Sequence, residues 1–297
     1  MKYILEETQF ISAAEAVYQI KSGNRVFIHG ASMTPHTLID AMCDRYSELK
    51  DVELIHIHTE GQAPYTEGEC INSFRLNSLF VAGNIRKAVS QGNADYIPMF
   101  LSEMPQLFRR KILPLDIAMV QVSPPDKHGF CSLGTSVDIT LGALEGAKLV
   151  IAEINPQVPR TLGDGVIHMN EIDYAVEVNR PIPEIYHRPL SEIEIEIGRH
   201  VAGLVEDGAS LQMGIGGIPD AVLSQLSGHH RLGVHTEMFS DGLIHLVNKG
   251  IVTGEEKKLL PGKIIAAFTM GSNRLYEFVD DNPIVVMKDS AFTNDTH

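Results

Sequence analysis

One short pattern occurs twice in this chain, and it limits the fold more than any other feature. The apolar run Val26-Phe27-Ile28 leads to Gly30, and Pro35 stands five residues further on. In the second half, residues 210–213 lead to Gly214, with Pro219 again five residues on. Counted from each glycine, apolar residues fall at +8, +9 and +12: Leu38, Ile39 and Met42 in the first copy, Val222, Leu223 and Leu226 in the second. That spacing lines them along one helix face. Proline at the first helical position is favourable, because its missing N–H would have no partner there. Each copy then reaches a His-Thr-Glu, as His58-Thr59-Glu60 and His235-Thr236-Glu237. A strand–glycine–helix unit used twice predicts two structurally related domains.

The rest of the chain extends that alternation. Strands are expected at 54–57, 117–122 and 148–154, with amphipathic stretches at 35–46 and 135–144. Further strands are expected at 233–235, 264–268 and 284–287. Strands alternating with helices argue for α/β layers on a largely parallel sheet. Between the two patterns, residues 179–189 carry Pro181, Pro183 and Pro189 and show neither period, which reads as a linker. A long helix over 191–205 follows, and Ser191 with Glu194 three residues later forms a capping box. The expectation is two open-sheet α/β domains, residues 1–185 and 186–297. The second is cut short at its C-terminus, since the chain ends within ten residues of Met287.

Charge and cysteine usage narrow the partners. With 24 Lys and Arg against 38 Asp and Glu, the net charge of -14 opposes binding to nucleic acid or an anionic membrane. A helix N-terminus can still hold an anion locally. No apolar run is long enough to span a bilayer, and the first eight residues turn acidic at once, without a signal-peptide core. Cys43, Cys70 and Cys131 are odd in number and widely spaced, which fits neither a disulfide framework nor a zinc site. Cytoplasm is the natural compartment. His229, His230 and His235 lie near each other but without a His-x3-His pair or a cysteine cluster, so no metal is expected. No Gly-x-Ser-x-Gly elbow supports a serine triad.

Two segments are placed to carry chemistry. Gly214, Ile215, Gly216, Gly217, Ile218 and Pro219 join a strand to a helix. Glycine permits positive φ and close ligand approach, and the helix start offers free N–H groups to a phosphate, a thioester oxygen or a pantetheine amide. The run is neither Gly-x-Gly-x-x-Gly nor a P-loop. Glu237 ends a strand, where ligand crevices of open sheets lie. Glu60 ends the equivalent strand of the first copy, and the repeat alone does not separate the two acids. The glycine loop precedes only Glu237 at close range. The proline-stiffened stretch from Ser123 to Gly129 reads as a connecting turn, at a strand end from which it could line a pocket.

These residues resemble the acetyl-CoA hydrolase/transferase family. The likeness rests on Gly214-Ile215-Gly216-Gly217-Ile218-Pro219 and on His235-Thr236-Glu237-Met238-Phe239-Ser240-Asp241-Gly242. Three further stretches agree: Ser123-Pro124-Pro125-Asp126-Lys127-His128-Gly129, Asn155-Pro156-Gln157-Val158-Pro159-Arg160 and Leu275 to Pro283. The resemblance implies an active site between two α/β domains, with Glu237 rather than Glu60 as catalytic glutamate. It implies that Gly214, Ile215, Gly216, Gly217 and Ile218 bind coenzyme A. The activity implied is CoA transfer between a short-chain acyl-CoA (4-hydroxybutyryl-, butyryl- or acetyl-CoA) and a carboxylate such as acetate, by ping-pong chemistry through a glutamyl-CoA thioester. Acyl-CoA hydrolysis by the same glutamate, or CoA binding without turnover, are the alternatives. CoA enters as substrate, with no tightly bound cofactor, and a homodimer is expected. Family members continue beyond the point where this chain stops, and their later portion completes the second domain.

Overall fold

A computed structural model describes residues 8–185 and 188–295. The readings of the N-terminal residues 1–7, of the division at residue 186 and of the last two residues fall outside them.

The larger sheet has eight parallel strands. From one edge they run Gln9–Phe10, Tyr174–Glu177, Ala147–Ile154, Leu115–Val122, Arg25–Ile28, Val52–His56, Phe74–Ser78 and Ala94–Tyr96. Side chains alternate across a strand, and the core divides accordingly. Phe27, Val120 and Ala152 pack on one face, while Val26, Ile28, Met119 and Ile151 pack on the other. Both faces are covered, which is why these strands read as near-continuous apolar runs. The core on the Phe27 face continues without a break into Leu223, Val234, Phe239 and Ile264 of the second half.

A second parallel sheet runs Ser210–Leu211, Gly233–His235, Ile264–Ala266 and Val285–Met287. Its strands lie side by side in chain order, as do the four from Arg25–Ile28 to Ala94–Tyr96. This shared order is what the internal repeat anticipates. Leu38, Ile39, Met42, Leu223 and Leu226 are buried as the spacing requires, while Val222 is only half-buried.

Several boundaries differ from expectation, each for a local reason. Neither proline takes the first helical position: Pro35 precedes the helix His36–Cys43, and Pro219 is third in Gly217–Gln225. Both still lie where backbone N–H groups have no helical partner. The helix expected from residue 135 starts only at Thr140. The backbone before it is occupied elsewhere: Thr135 O accepts from Thr269 N at 2.8 Å, and Val137 N and Asp138 N donate to Ala267 O at 3.0 and 3.1 Å. Residues 264–268 split into Ile264–Ala266 and Phe268–Thr269, the latter pairing with Met238–Phe239. A second loop of the first half, at Leu162 and Asp164, hydrogen-bonds both backbone groups of Met287 at the edge of the smaller sheet, at 2.8 and 2.9 Å.

Helix His36–Cys43 has no capping side chain of its own, because Pro35 offers none. Glu153, fully buried on the neighbouring strand, supplies it by accepting from Leu38 N at 2.8 Å. Burial pushes the Glu153 carboxyl up to about 7. Glu153→Ala is expected to lower stability by about 1–3 kcal/mol, since it strands a buried N–H. Glu153→Gln keeps the acceptor and costs little. A buried acid with a raised folded-state pKa stabilises below its unfolded value of 4.5, and that stability is lost as pH rises through about 7. The Gln variant therefore gains on the wild type across that window. Urea denaturation of the three proteins at the two ends of the window measures both effects.

Candidate active site

Glu237 stands where the strand Gly233–His235 breaks off. Its carbonyl accepts from both Ala267 N and Phe268 N, at 2.9 and 3.0 Å, which pins the backbone while leaving the side chain free to turn outward. The preceding residue, Thr236, is fully buried. Its hydroxyl accepts from Met213 N at 3.0 Å and shares its own proton between the carbonyls of Met213 and Met238, at 3.0 and 3.1 Å. Thr236 thus ties the strand carrying Glu237 to the first residue of the glycine loop.

The Glu237 side chain is half-buried, and burial raises its pKa above the ordinary glutamate value of 4.5. A hydrogen bond from Asn294 Nδ2 to Oε2, at 3.1 Å, opposes that shift. The orientation of the Asn294 amide is set locally. Thr293 Oγ1 donates to Asn294 Oδ1 at 2.8 Å, so the amide nitrogen faces Glu237. Asn294 follows the short helix Ser290–Thr293, which Asp289 caps by accepting from Ala291 N at 2.7 Å.

The two glycine loops of the repeat have diverged in packing. Residues 30–34 are all buried, and a Cβ on Gly30 would lie 2.9 Å from His58 O. In the second copy Gly214, Ile215 and Ile218 are exposed, and nothing lies within 4 Å of a Cβ on Gly214 or Gly216. Gly216, at φ +124, immediately precedes helix Gly217–Gln225. A ligand therefore has access to backbone N–H groups in this loop, where the first is filled by its own chain. Gly217 differs: its missing Cβ makes room for the Glu194 carboxylate, so packing alone accounts for it.

Glu60 also reaches the junction between the halves. It is half-buried, burial raises its pKa, and its N–H donates to Thr34 Oγ1 at 3.1 Å. His58, two residues earlier, meets Phe268 edge-on at 5.3 Å and Met270 Sδ at 3.3 Å. Both strand-end acids thus belong to loops that converge on the junction.

The three remaining motif stretches meet one another at Arg160. Its guanidinium pairs with Asp126 at 2.9 Å, its N–H donates to Asp280 at 2.6 Å, and its carbonyl accepts from Asp281 N at 2.8 Å. They form a brace across the junction. The stretch from Ser123 to Gly129 is a turn in which Asp126 accepts from His128 N and Phe130 N at 2.9 and 3.0 Å. Pro124 and Pro125 do line a hollow of about 360 Å³, but with Phe10, Ile154, Pro156, Glu177 and Val178 rather than with Glu237. Asp241 of the Glu237 motif accepts from Ser272 N at 2.9 Å, just before helix Asn273–Val279.

Asn294 and Thr236 were not singled out from sequence. Asn294 lies 57 residues from Glu237, and no spacing rule links the two. Among the described residues no group of three or more His, Cys, Asp or Glu side chains is arranged to hold a metal. No described helix is long and apolar enough to cross a membrane.

The acetyl-CoA hydrolase/transferase N-terminal domain family matches residues 3–185. A succinyl-CoA:acetate/propanoyl-CoA:succinate CoA transferase of Fasciola hepatica is 50% identical over 93% of this chain, which spans 58% of that protein. A 4-hydroxybutyrate coenzyme A transferase of Clostridium kluyveri is 46% identical over 93% of this chain and 65% of its own length. The crystal structure of a 4-hydroxybutyrate CoA-transferase from Porphyromonas gingivalis superposes with a TM-score of 0.83 at 36% identity, covering 97% of this chain and 69% of that one. This chain thus spans less than two thirds of the curated relatives it matches most strongly.

Proposed function

Because this chain belongs to the acetyl-CoA hydrolase/transferase family, we propose that it is a CoA-transferase with Glu237 as nucleophile, moving CoA between a short-chain acyl-CoA and a carboxylate such as acetate. The observation that carries the reading is Glu237 itself: a half-buried carboxylate at a strand end, tied through Thr236 and Met213 to an open glycine loop. Relatives named as CoA transferases favour transfer over hydrolysis. Their names, with succinyl, propanoyl, 4-hydroxybutyrate and butyryl groups, support a short acyl chain. The domains proposed are residues 1–185 and 186–297, with residues 214–218 receiving CoA. A cytoplasmic homodimer completes the reading; the free Cys43, Cys70 and Cys131 fit a reducing compartment.

The Glu237 carboxylate attacks the thioester carbonyl of the donor. The C–S bond breaks, giving a mixed anhydride and CoA thiolate. The thiolate then attacks the glutamyl carbonyl and expels the donor's free acid, leaving a glutamyl-CoA thioester. The acceptor carboxylate attacks that thioester, forming a second anhydride and releasing thiolate. Attack of this thiolate on the acceptor's acyl carbonyl yields the new acyl-CoA and frees Glu237. Splitting one difficult exchange into four steps is the gain of covalent catalysis. Backbone N–H groups at the helix start after Gly216 stabilise oxyanions that develop nearby. Half-burial of Glu237 limits competing attack by water.

The test is to mix the protein with acetyl-CoA, add borohydride and map the modified peptide. Reduction of a glutamyl-CoA thioester converts the side chain of Glu237 to a primary alcohol. Label at Glu60 or at no carboxylate refutes the assignment. Continued release of free acid beyond one equivalent per site, without an acceptor, would mean hydrolysis in place of transfer.

A further inference from the structure

His235 lies two residues before Glu237 on the same strand end. Its ring stacks on Phe292, with centroids 5.9 Å apart and planes 9° from parallel. Burial lowers the pKa of the ring, and the nearby backbone of Thr293 opposes that shift. Phe292 and Thr293 immediately precede Asn294, and the Thr293 hydroxyl holds the amide of Asn294, which donates to Glu237. The ring therefore packs on the segment that delivers the Asn294 hydrogen bond to the Glu237 carboxylate.

We propose that His235 is a positioning residue for Glu237, acting through Phe292, Thr293 and Asn294 to hold the carboxylate in its attacking geometry. The inference rests on the nucleophile assignment above. The chain of contacts explains why a histidine suits this position. An apolar ring would keep the stack but lose the polar contact with the Thr293 backbone, and a small polar side chain would lose the stack. Charged groups facing the ring and its stack are Lys257, whose charge disfavours a protonated His235, and Lys288, which sits 5.0 Å over Phe292 while paired with Asp164 at 2.7 Å.

The experiment is a double-mutant cycle with His235→Phe and Asn294→Ala in the full chain, with folding checked by thermal melting. Two quantities are read. One is the single-turnover rate of thioester formation on Glu237 from acetyl-CoA. The other is the titration midpoint of the Glu237 carboxyl, followed by ¹³C NMR, which needs no turnover. His235→Phe is expected to slow thioester formation about 10-fold with little change in KM and to raise the Glu237 midpoint, as Asn294→Ala does. In the Asn294→Ala background the same change is expected to do nothing more, because its route to Glu237 is already cut.

An unchanged midpoint and rate in His235→Phe overturns the proposal. So does an effect that persists in full without Asn294, since that would mark a direct electrostatic influence of the ring. If His235→Phe fails to fold, His235→Asn and His235→Gln, which retain a polar group, take its place under the same criteria. Turnover by Glu237→Ala would remove the nucleophile assignment while leaving the midpoint shifts to judge the His235 contacts separately.

Discussion

Glu237→Ala is expected to lower turnover by at least about 10⁴-fold while the protein stays folded. The size follows from its role: without the carboxylate no anhydride and no enzyme thioester can form, and removing a covalent nucleophile costs far more than removing a group that only binds. Folding should survive, because the backbone anchors at Ala267, Phe268 and Thr236 do not involve the deleted atoms. Glu237→Asp keeps the charge but withdraws it by one methylene, so a loss of about 10²-fold is expected from misplacement alone.

The pH dependence has a definite sign. Under the proposed mechanism only the ionised carboxylate attacks. Burial raises the Glu237 pKa above 4.5, so the acid limb of the rate profile lies at higher pH than an exposed glutamate would give. Asn294→Ala removes the opposing hydrogen bond and moves the limb further up. Rates of transfer from acetyl-CoA to a labelled carboxylate, measured across the acid range, decide both points. An alanine variant within tenfold of wild type would exclude Glu237 as nucleophile.

Gly163→Ala is expected to destabilise the protein by about 3–5 kcal/mol, near the upper end for a single substitution. Two causes combine. Gly163 sits at φ +121, where an L side chain is strained. A Cβ there would also fall inside the contact radius of Met287 O and lie 2.8 Å from Met287 N. Neither is a flexible side chain that can swing away. The loop must instead leave the sheet edge, losing the hydrogen bonds from Met287 N to Leu162 O and from Asp164 N to Met287 O. Gly216→Ala is the internal control. It has a similar φ of +124 but nothing within 4 Å, so only the conformational strain of about 1–3 kcal/mol remains. Thermal melts of the two variants should differ clearly, and equal losses would show that the Met287 contact contributes nothing.

The Gly163 junction also bears on the active site. Met287 leads through Lys288 and Asp289 into helix Ser290–Thr293 and then Asn294. Asp289 pairs with Arg109 of the first half at 2.6 Å, and Ser290 N donates to Asp138 O at 2.9 Å. The residue that hydrogen-bonds Glu237 is therefore held in place by the opposite half of the molecule.

Much of this was legible in particular residues. The near-continuous apolar runs of Ile117 to Val122 and Lys148 to Ile154 located two central strands, because a strand buried on both faces is mostly apolar. The spacing of Leu38, Ile39 and Met42 found a helix face, and Ser191 with Glu194 found a helix start that the structure bears out. Boundaries failed where another segment competed for the backbone. Residues 135–139 read as helix, yet their polar groups serve Ala267 and Thr269. Local periodicity has no access to a partner more than a hundred residues away.

The sequence by itself determined the α/β class, the doubled strand–glycine–helix unit and the candidate acids, since each depends on residues close along the chain. Only the tertiary structure showed that the loop at Gly30 is filled by its own chain while the one at Gly214 stays open. It likewise brought Asn294 to Glu237, and Arg160 to both Asp126 and Asp280. Hydrogen bonds and burial act through space, over a few ångströms, and the chain's own order carries no record of which distant residues folding will bring that close.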